Sequence, residues 1–272
     1  MVTVSSEYRR HLPTAAELPD SDETPVDNEL QNDIPNILLN LLRSIWAGRT
    51  DWFWGVDMGI YYEPNIEDPA KSKCIIPDGF LSLGVPKYTN EHGRLSYVLW
   101  EEEVLPILTL EVVSHKYNGE YDLKLTKYED LGILYYVVYN YLSGRRGLFK
   151  KHQPLEVYKL IDGKYQLQPS IALLQREAQE GGEMVWMPEI GLGIGCEQGE
   201  IDSWRRKWMY WYDRDGIRYL TTEERAKSAE ERAKSAEERA KSAEERARQE
   251  RQEKERLAVY LRSIGINPDE IQ

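Results

Sequence analysis

The chain has 272 residues, 41% of them hydrophobic and 30% charged, and carries a formal net charge of −12. This length suffices for one well-buried domain with an appended segment, and the negative charge argues against tight non-specific binding to a polyanion. The two cysteines are too few for a disulfide framework and are typical of a reducing cytoplasm. No signal peptide or membrane-spanning run is recognisable, so we expect a cytoplasmic protein.

The N-terminal part is predicted to be irregular before a first helix. Prolines and other turn formers are frequent in residues 1–25. Asp27 or Asn28 is placed to cap a helix that runs to about Trp46 and has an apolar stripe on one face. Glu29, in the first turn of that helix, has two interpretations: an additional active-site carboxylate, or an acid that favours the helix N-terminus.

Two strands are predicted next. The first, Asp51–Tyr62, is rich in aromatic residues and contains two glycines at which bulges are expected. After a polar loop, Pro77 and Asp78 precede the apolar run Gly79–Val85. Proline is tolerated at the first residue of a strand, so Asp78 is expected at or near a strand end. A long connection, residues 87–103, then follows.

The stretch from Ile107 to Tyr141 carries the strongest pattern. Ile107–Val113 is apolar and partly β-branched, which predicts a strand covered on both faces. Residues Gly119–Leu131 predict a helix, and Leu134–Tyr141 predicts a second strand. Glu111 interrupts the first strand, where an ionised carboxylate is costly unless it is paired or binds a metal.

Lys124 lies beside the core-facing stripe of the predicted helix and is a natural partner for Glu111. Together with Asp78, these residues could hold a divalent ion and orient a water molecule. Hard oxygen ligands favour Mg²⁺ or Mn²⁺, and the lysine supplies positive charge near the attacking water or the phosphate. The competing interpretation is a buried Glu111–Lys124 ion pair beside a strand-end aspartate, although such pairs rarely add stability over apolar packing.

The same residues carry a resemblance to a known group of proteins. The PD-(D/E)XK nuclease superfamily, and more closely its bacterial putative restriction endonuclease family (the Uma-type proteins), is similar to this chain at Pro77-Asp78, Glu111-Val112-Val113-Ser114 and Lys124-x-x-x-Tyr128. The similarity extends roughly over residues 26–195. The standard superfamily motif places lysine two residues after the acid, where this chain has Val113. In the Uma-type family the lysine stands on the following helix, as Lys124 does here.

This resemblance implies a fold and an activity. The fold is α/β, a restriction-endonuclease-like mixed central sheet of about four core strands flanked by helices. The activity is Mg²⁺-dependent hydrolysis of phosphodiester bonds in DNA. Asp78 and Glu111 would bind the metal, with the Val112 carbonyl completing the ligand set, and Lys124 would position or help deprotonate the attacking water. Some relatives add an acid from the first helix, which is the role open to Glu29.

A basic segment follows the second strand. Residues 143–152 read SGRRGLFKKH and contain Arg145, Arg146, Lys150 and Lys151. On an acidic protein these four side chains are the best local candidates for contact with DNA phosphates. Ordinary exposed turn charges are the alternative.

Two hairpins are predicted in the rest of the domain. Strands at 155–160 and 164–167 flank the turn signal Asp162-Gly163, and a second hairpin is expected over Trp208–Tyr219 with its turn at Asp215-Gly216.

The tryptophans near this second hairpin and a glycine-rich run have tempting functional interpretations. Base stacking is one role for Trp204, Trp208 and Trp211, but the aromatic run favours a packed strand. Gly191–Gly195 lacks the full glycine fingerprint and the strand-to-helix context of a nucleotide-binding loop.

From Thr221 the chain changes to near-identical heptads, ERAKSAE, that continue to Glu244. Alanines alternate at three and four residues, which is the spacing of a coiled-coil seam. Because an alanine seam buries little area, a homo-oligomer and a solitary solvated helix both remain open. Residues 221–272 are therefore predicted to form a long helix after a domain over residues 26–220.

Three functions compete at this point. A metal-dependent endonuclease is the leading hypothesis, with DNA as its partner. A binding or scaffold protein, in which an inactive nuclease-like core carries a helical tail that recruits a partner or a second copy, is the second. The weakest hypothesis is a glycosidase that uses Asp78 and Glu111 as its carboxylate pair.

Overall fold

The computed structural model describes residues 12–19, 28–89, 91–144, 150–173 and 182–265. The expected irregular segment 1–25 therefore lies largely outside the described residues. The elements in chain order are α1 Glu29–Ile45, β1 Trp52–Val56, β2 Ile60–Glu63, β3 Lys73–Ile75, β4 Gly79–Leu83, β5 Tyr97–Val98, α2 Leu99–Glu102, β6 Leu108–Val112, α3 Leu123–Leu131, β7 Tyr135–Tyr139, β8 Leu155–Ile161, β9 Lys164–Leu167, β10 Ile171–Ala172, β11 Glu183–Met187, β12 Leu192–Ile201, β13 Trp204–Tyr212 and α4 Thr222–Ser263. The chain divides into two compact units, residues 1–219 and 220–272.

The first unit is built on a six-stranded mixed sheet with the order β1-β4-β6-β7-β8-β9. Strands β6 and β7 are parallel, and the other neighbouring pairs are antiparallel. A parallel pair needs a crossover connection, and α3 lies within the segment that joins β6 to β7. The predicted restriction-endonuclease-like mixed sheet is confirmed, with six strands in place of about four.

The side chains of strand β6 alternate between the two faces of this sheet. Leu108, Leu110 and Val112 belong to the large core that includes α1, whereas Val113 belongs to a smaller core that includes Tyr128 of α3. Successive side chains of a strand point to opposite faces, so Glu111 is directed to the side that α3 covers. The sheet is therefore covered on both faces, as the apolar pattern of this strand predicted.

A second, antiparallel sheet of the order β10-β11-β12-β13 contributes to the core on the α1 side. Trp211 is fully buried there, and its indole Nε1 donates to the Leu38 carbonyl of α1 at 3.0 Å. Trp208 is also buried, so packing is the confirmed role of these two rings. The Gly191–Gly195 run enters strand β12 and is not followed by a helix.

The hairpin predicted over Trp208–Tyr219 is present in a shortened form. Its turn lies near Asp215, an antiparallel bridge joins Tyr212 to Arg218, and the Tyr219 amide donates to the Trp211 carbonyl at 3.0 Å. Strand β13 also pairs along its length with β12, a pairing that was not predicted, and the connecting turn consists of Asp202 and Ser203. The other predicted hairpin is confirmed: β8 and β9 pair across Asp162-Gly163.

Two further segments differ from their predicted structure. The expected strand Asp51–Tyr62 is divided into β1 and β2 by a turn at Asp57, whose φ is 47°. The expected connection 87–103 contains β5 and the short helix α2. Strand β5 pairs with β2 in a small sheet of order β3-β2-β5.

The second unit contains the 42-residue helix α4. Thr221 caps it in a capping box, in which its hydroxyl accepts from the Glu224 amide and the Glu224 carboxylate accepts from the Thr221 amide. No residue of this helix is buried. Across the described residues, no helix is long and apolar enough to cross a membrane.

Candidate active site

Asp78 directly precedes β4, at the end of the strand that lies against β6. The antiparallel register pairs Gly79 with Leu110 and Phe80 with Thr109, and one further step places Asp78 opposite Glu111. The amide of Val112 donates to Asp78 Oδ2 at 2.6 Å, which fixes the carboxylate across the strand pair. Two acidic side chains are thereby brought together from strands that are distant in the sequence.

Glu111 has 1% of its surface exposed, and both of its carboxylate oxygens are bound from α3. Lys124 Nζ lies 2.7 Å from Oε2, and the Tyr128 hydroxyl donates to Oε1 at 2.6 Å. Residues four apart on a helix lie on one face, so α3 presents its lysine and its tyrosine side by side to one carboxylate. The position of the Glu111 side chain therefore depends on α3.

The two carboxylates oppose each other's ionisation. Burial, and then the negative charge of Glu111, raises the pKa of Asp78 well above its ordinary value. Burial also raises the pKa of Glu111, although Lys124 and Tyr128 act in the opposite direction. A divalent cation between two such groups would remove the repulsion that disfavours the doubly ionised state.

Lys124 is 20% exposed at its side chain and remains a cation. Burial alone would lower its pKa, but the carboxylates of Glu111 and Asp78 outweigh that effect, so the pKa of Lys124 is raised. The site therefore contains a positively charged ammonium group on a side chain that is one-fifth exposed.

Two residues of the site were not assigned a role from the sequence. Tyr128 entered the sequence analysis only through the motif Lys124-x-x-x-Tyr128, and its hydroxyl binds Glu111; its spacing of four from Lys124 was the available signal. Glu120 is buried, accepts from the Asn118 amide at 3.0 Å, and acts electrostatically on both Glu111 and Lys124. It lies in the turn before α3, where the sequence pattern gave no sign of burial.

The remaining predicted site residues lie elsewhere or outside the described residues. Glu29 is exposed and lines a cleft with His115 and Arg206, and it has no described contact with Asp78 or Glu111. Arg145 and Arg146 lie outside the described residues. Lys150 and Lys151 are both exposed, which is compatible with phosphate contact and with an ordinary surface location.

The donor set at the site is small for a metal. Within the described ranges, no group of three or more His, Cys, Asp or Glu side chains is arranged to hold an ion. What the site offers is two carboxylates on adjacent strands and the backbone of Val112 beside them. Such oxygen donors suit Mg²⁺, which usually keeps several waters and binds through one or two carboxylates. The residues present therefore fit a magnesium ion that is mostly hydrated.

The mixed sheet, the helices on its faces and the long C-terminal helix define an α/β protein of the restriction-endonuclease-like fold. Residues 18–189 match the model of the Uma2 family, described as "Putative restriction endonuclease", and the chain belongs to this family. The family assignment supports a nuclease-type function. No curated protein and no solved structure matches the chain.

Proposed function

We propose that this protein is a metal-dependent endonuclease that hydrolyses phosphodiester bonds in DNA at the site formed by Asp78, Glu111 and Lys124. The observation that carries the proposal is the convergence of two opposed carboxylates from adjacent strands with an ammonium group 2.7 Å from one of them. Asp78 and Glu111 would hold Mg²⁺, with the Val112 carbonyl as a further ligand; Mn²⁺ has similar ligand preferences.

Each residue has a separate task in this proposal. When bound, a magnesium ion supplies Lewis acidity at a phosphate oxygen and lowers the pKa of a coordinated water. Lys124, kept protonated by its acidic neighbours, offsets the charge that accumulates on the phosphate and orients the attacking water by donating a hydrogen bond. Tyr128 keeps Glu111 in position through its hydroxyl.

The test is cleavage of a supercoiled plasmid by the purified full-length chain in Mg²⁺ or Mn²⁺, with EDTA as the metal-free arm. We expect nicking by the wild type and a loss of at least about 100-fold in rate for Asp78→Asn, Glu111→Gln and Lys124→Met, because one preorganised electrostatic contact contributes on the order of 10²–10³. Lys127→Met is the matched control for the lysine, since Lys127 lies on the same helix and contacts the Tyr62 ring instead.

A second function follows if the wild type leaves single- and double-stranded DNA intact in both metals. The observation that favours it is the helix α4, 42 residues long without a buried side chain. The protein would then be a binding or scaffold protein whose nuclease-like domain is inactive and whose helix recruits a partner or a second copy.

A further inference from the structure

A cleft of about 630 Å³ opens at the same end of strand β6 as the carboxylates. Its lining includes His115, Tyr141, Trp204, Arg205, Arg206 and Lys207. His115 follows Glu111 closely in the chain, but the cleft is also lined by Tyr139, which belongs to the α1 side of the sheet. The cleft and the carboxylate site thus lie on opposite faces of the central sheet, at the end where strand β6 ends.

Arg206 is fixed in this cleft by aromatic rings. Its guanidinium carbon lies 4.9 Å from the ring centre of Trp204, 5.2 Å from that of Trp208 and 5.4 Å from that of Tyr141. Its Nη2 donates to the Tyr139 hydroxyl at 3.3 Å. Among the described residues, no carboxylate lies within ion-pair distance of this half-buried guanidinium. Arg206 is therefore preorganised and still has donors for an anionic ligand.

The cleft offers one cationic side chain beside the exposed rings. Arg205, Arg206 and Lys207 are all lining residues, as is the acid Glu29, but successive side chains of a strand point to opposite faces, so Arg206 alone shares the face of Trp204. Another acid, Asp33, lies within electrostatic reach of Arg206; burial raises the pKa of Asp33, and Glu29 and Asp202 raise it further. Because none of these acids forms an ion pair with Arg206, its guanidinium is the group that the cleft offers to an anionic ligand.

Trp204 adds an apolar surface to this cation. It is 39% exposed, whereas Trp208 is only 2% exposed. The turn Asp202-Ser203 holds Trp204 at the start of β13, in edge contact with the Trp208 ring at 5.6 Å. Proteins that bind single-stranded nucleic acids combine an exposed aromatic ring with cationic side chains, because an unpaired base can stack on the ring.

We propose that this cleft binds an unpaired segment of a nucleic acid, with a phosphate on Arg206 and a base stacked on Trp204. A cleft of 300–1,000 Å³ accommodates a ligand of one or a few nucleotides, which agrees with about 630 Å³ here. This inference rests on the proposed nuclease function, because the cleft would determine where a bound nucleic acid lies relative to the carboxylates. The protein would therefore prefer a nucleic acid that contains a single-stranded region.

Fluorescence anisotropy with a labelled single-stranded 20-mer, in EDTA and with the full-length chain, tests the binding directly. Arg206→Gln should weaken binding at least about fivefold and reduce the slope of log affinity against log salt by about 0.7, which is the contribution of one phosphate contact. Trp204→Ala should weaken binding about fivefold or more, the fold-change that corresponds to loss of one stacked base.

The matched control removes the same charge from another surface. Lys73→Gln replaces an exposed lysine that pairs with Glu63, so long-range repulsion changes equally while the cleft is intact. Trp204→Ala alters an exposed side chain of the cleft and keeps the test valid should the Arg206 variant fold poorly. Equal weakening by Arg206→Gln and Lys73→Gln, or tighter binding of a duplex than of the single strand, would overturn the proposal.

The outcomes separate this inference from the nuclease proposal. If Asp78→Asn abolishes cutting while Arg206→Gln binds the single strand as tightly as the wild type, the nuclease assignment stands and the cleft assignment fails. If the wild type cuts no DNA and yet binds single strands through Arg206 and Trp204, the cleft assignment stands and the nuclease assignment fails.

Discussion

At the scale of single residues, the carboxylates of Asp78 and Glu111 impose a cost on the metal-free protein. They lie opposite each other on neighbouring strands, both are buried, and like charges in directly opposed positions are destabilising. Because Lys124 offsets a single negative charge, ionisation of both carboxylates is disfavoured in the metal-free protein, and the pKa of Asp78 is raised.

This cost predicts a pH-dependent effect of Asp78→Asn. The pKa of Asp78 is raised in the folded state, so its carboxyl stays protonated on folding while the unfolded chain ionises near its ordinary value. Below that value both states are protonated and the group contributes nothing; as the pH rises above it, wild-type stability falls. Asparagine does not ionise. In EDTA, we expect the variant to gain about 1 kcal/mol or more over the wild type at pH 8, and less at pH 5.

Urea unfolding in EDTA at both pH values measures this difference, and Asp130→Asn is the control because Asp130 is exposed on α3. Added Mg²⁺ should stabilise the wild type and not Asp78→Asn, since a ligand that binds only the folded state stabilises it. A wild type that is more stable than the variant at pH 8 in EDTA would contradict the prediction.

The residues of this site differ in how far the sequence revealed them. Asp78, Glu111 and Lys124 stood out because charged residues interrupt or flank apolar runs, a pattern visible along the chain. Glu120 did not, because its burial depends on how the turn before α3 folds against the sheet. Arg206 did not either, because the three rings around it come from β13 and from the segment after β7.

At the scale of elements, the contact of β1 with β4 determines where Asp78 lies. Gly55 of β1 pairs with Phe80 of β4, and a Cβ added at Gly55 would stand 2.2 Å from the Phe80 ring. No side chain fits there unless the ring moves. The ring packs against Phe53 and Tyr97, so strand β4 would have to shift with it. Because Asp78 directly precedes β4, such a shift would displace the carboxylate from its position opposite Glu111.

Gly55→Ala is therefore expected to lower stability by about 1–3 kcal/mol, the usual cost of overpacking, and to reduce DNA cutting at the same time. Thermal unfolding and the plasmid assay measure the two effects. Gly48→Ala is the matched control, since a Cβ at Gly48 meets nothing within 4 Å. Wild-type stability in Gly55→Ala would show that the ring moves freely and that this contact does not fix the strand.

The hairpins show why some elements were predictable and others were not. Asp162-Gly163 has φ values of 51° and 77°, and glycine at the second position is the sequence signal for that turn geometry. Asp202-Ser203 has φ values of 50° and 63°, with no glycine to signal it. The turn between β12 and β13 therefore has no signal in the sequence, and the pairing of β13 with β12 was not predicted.

At the scale of the whole molecule, the two units differ in how they are stabilised. The first unit has a sheet covered on both faces, and the contribution of β10–β13 to one of those faces could not be predicted, because packing between distant sheets leaves no local pattern. The second unit contains α4, in which no side chain is buried. In proteins, most of the stability of a helix comes from packing against other parts of the structure. The alanine seam of α4 is not buried and is therefore available to pack against a second copy.

Association through that seam is the last prediction. We expect light scattering to give the full chain a mass above the 31.8 kDa of one copy, and a chain that ends at Leu220 to have the mass of one copy. Ala233→Lys with Ala240→Lys should also yield single copies, because charges at the seam repel across a parallel pair. Ser235→Lys with Ser242→Lys adds the same charge on the outer face of the helix and should leave the mass unchanged. If full-length and shortened chains associate equally, the helix is solitary and its repeats serve a different partner.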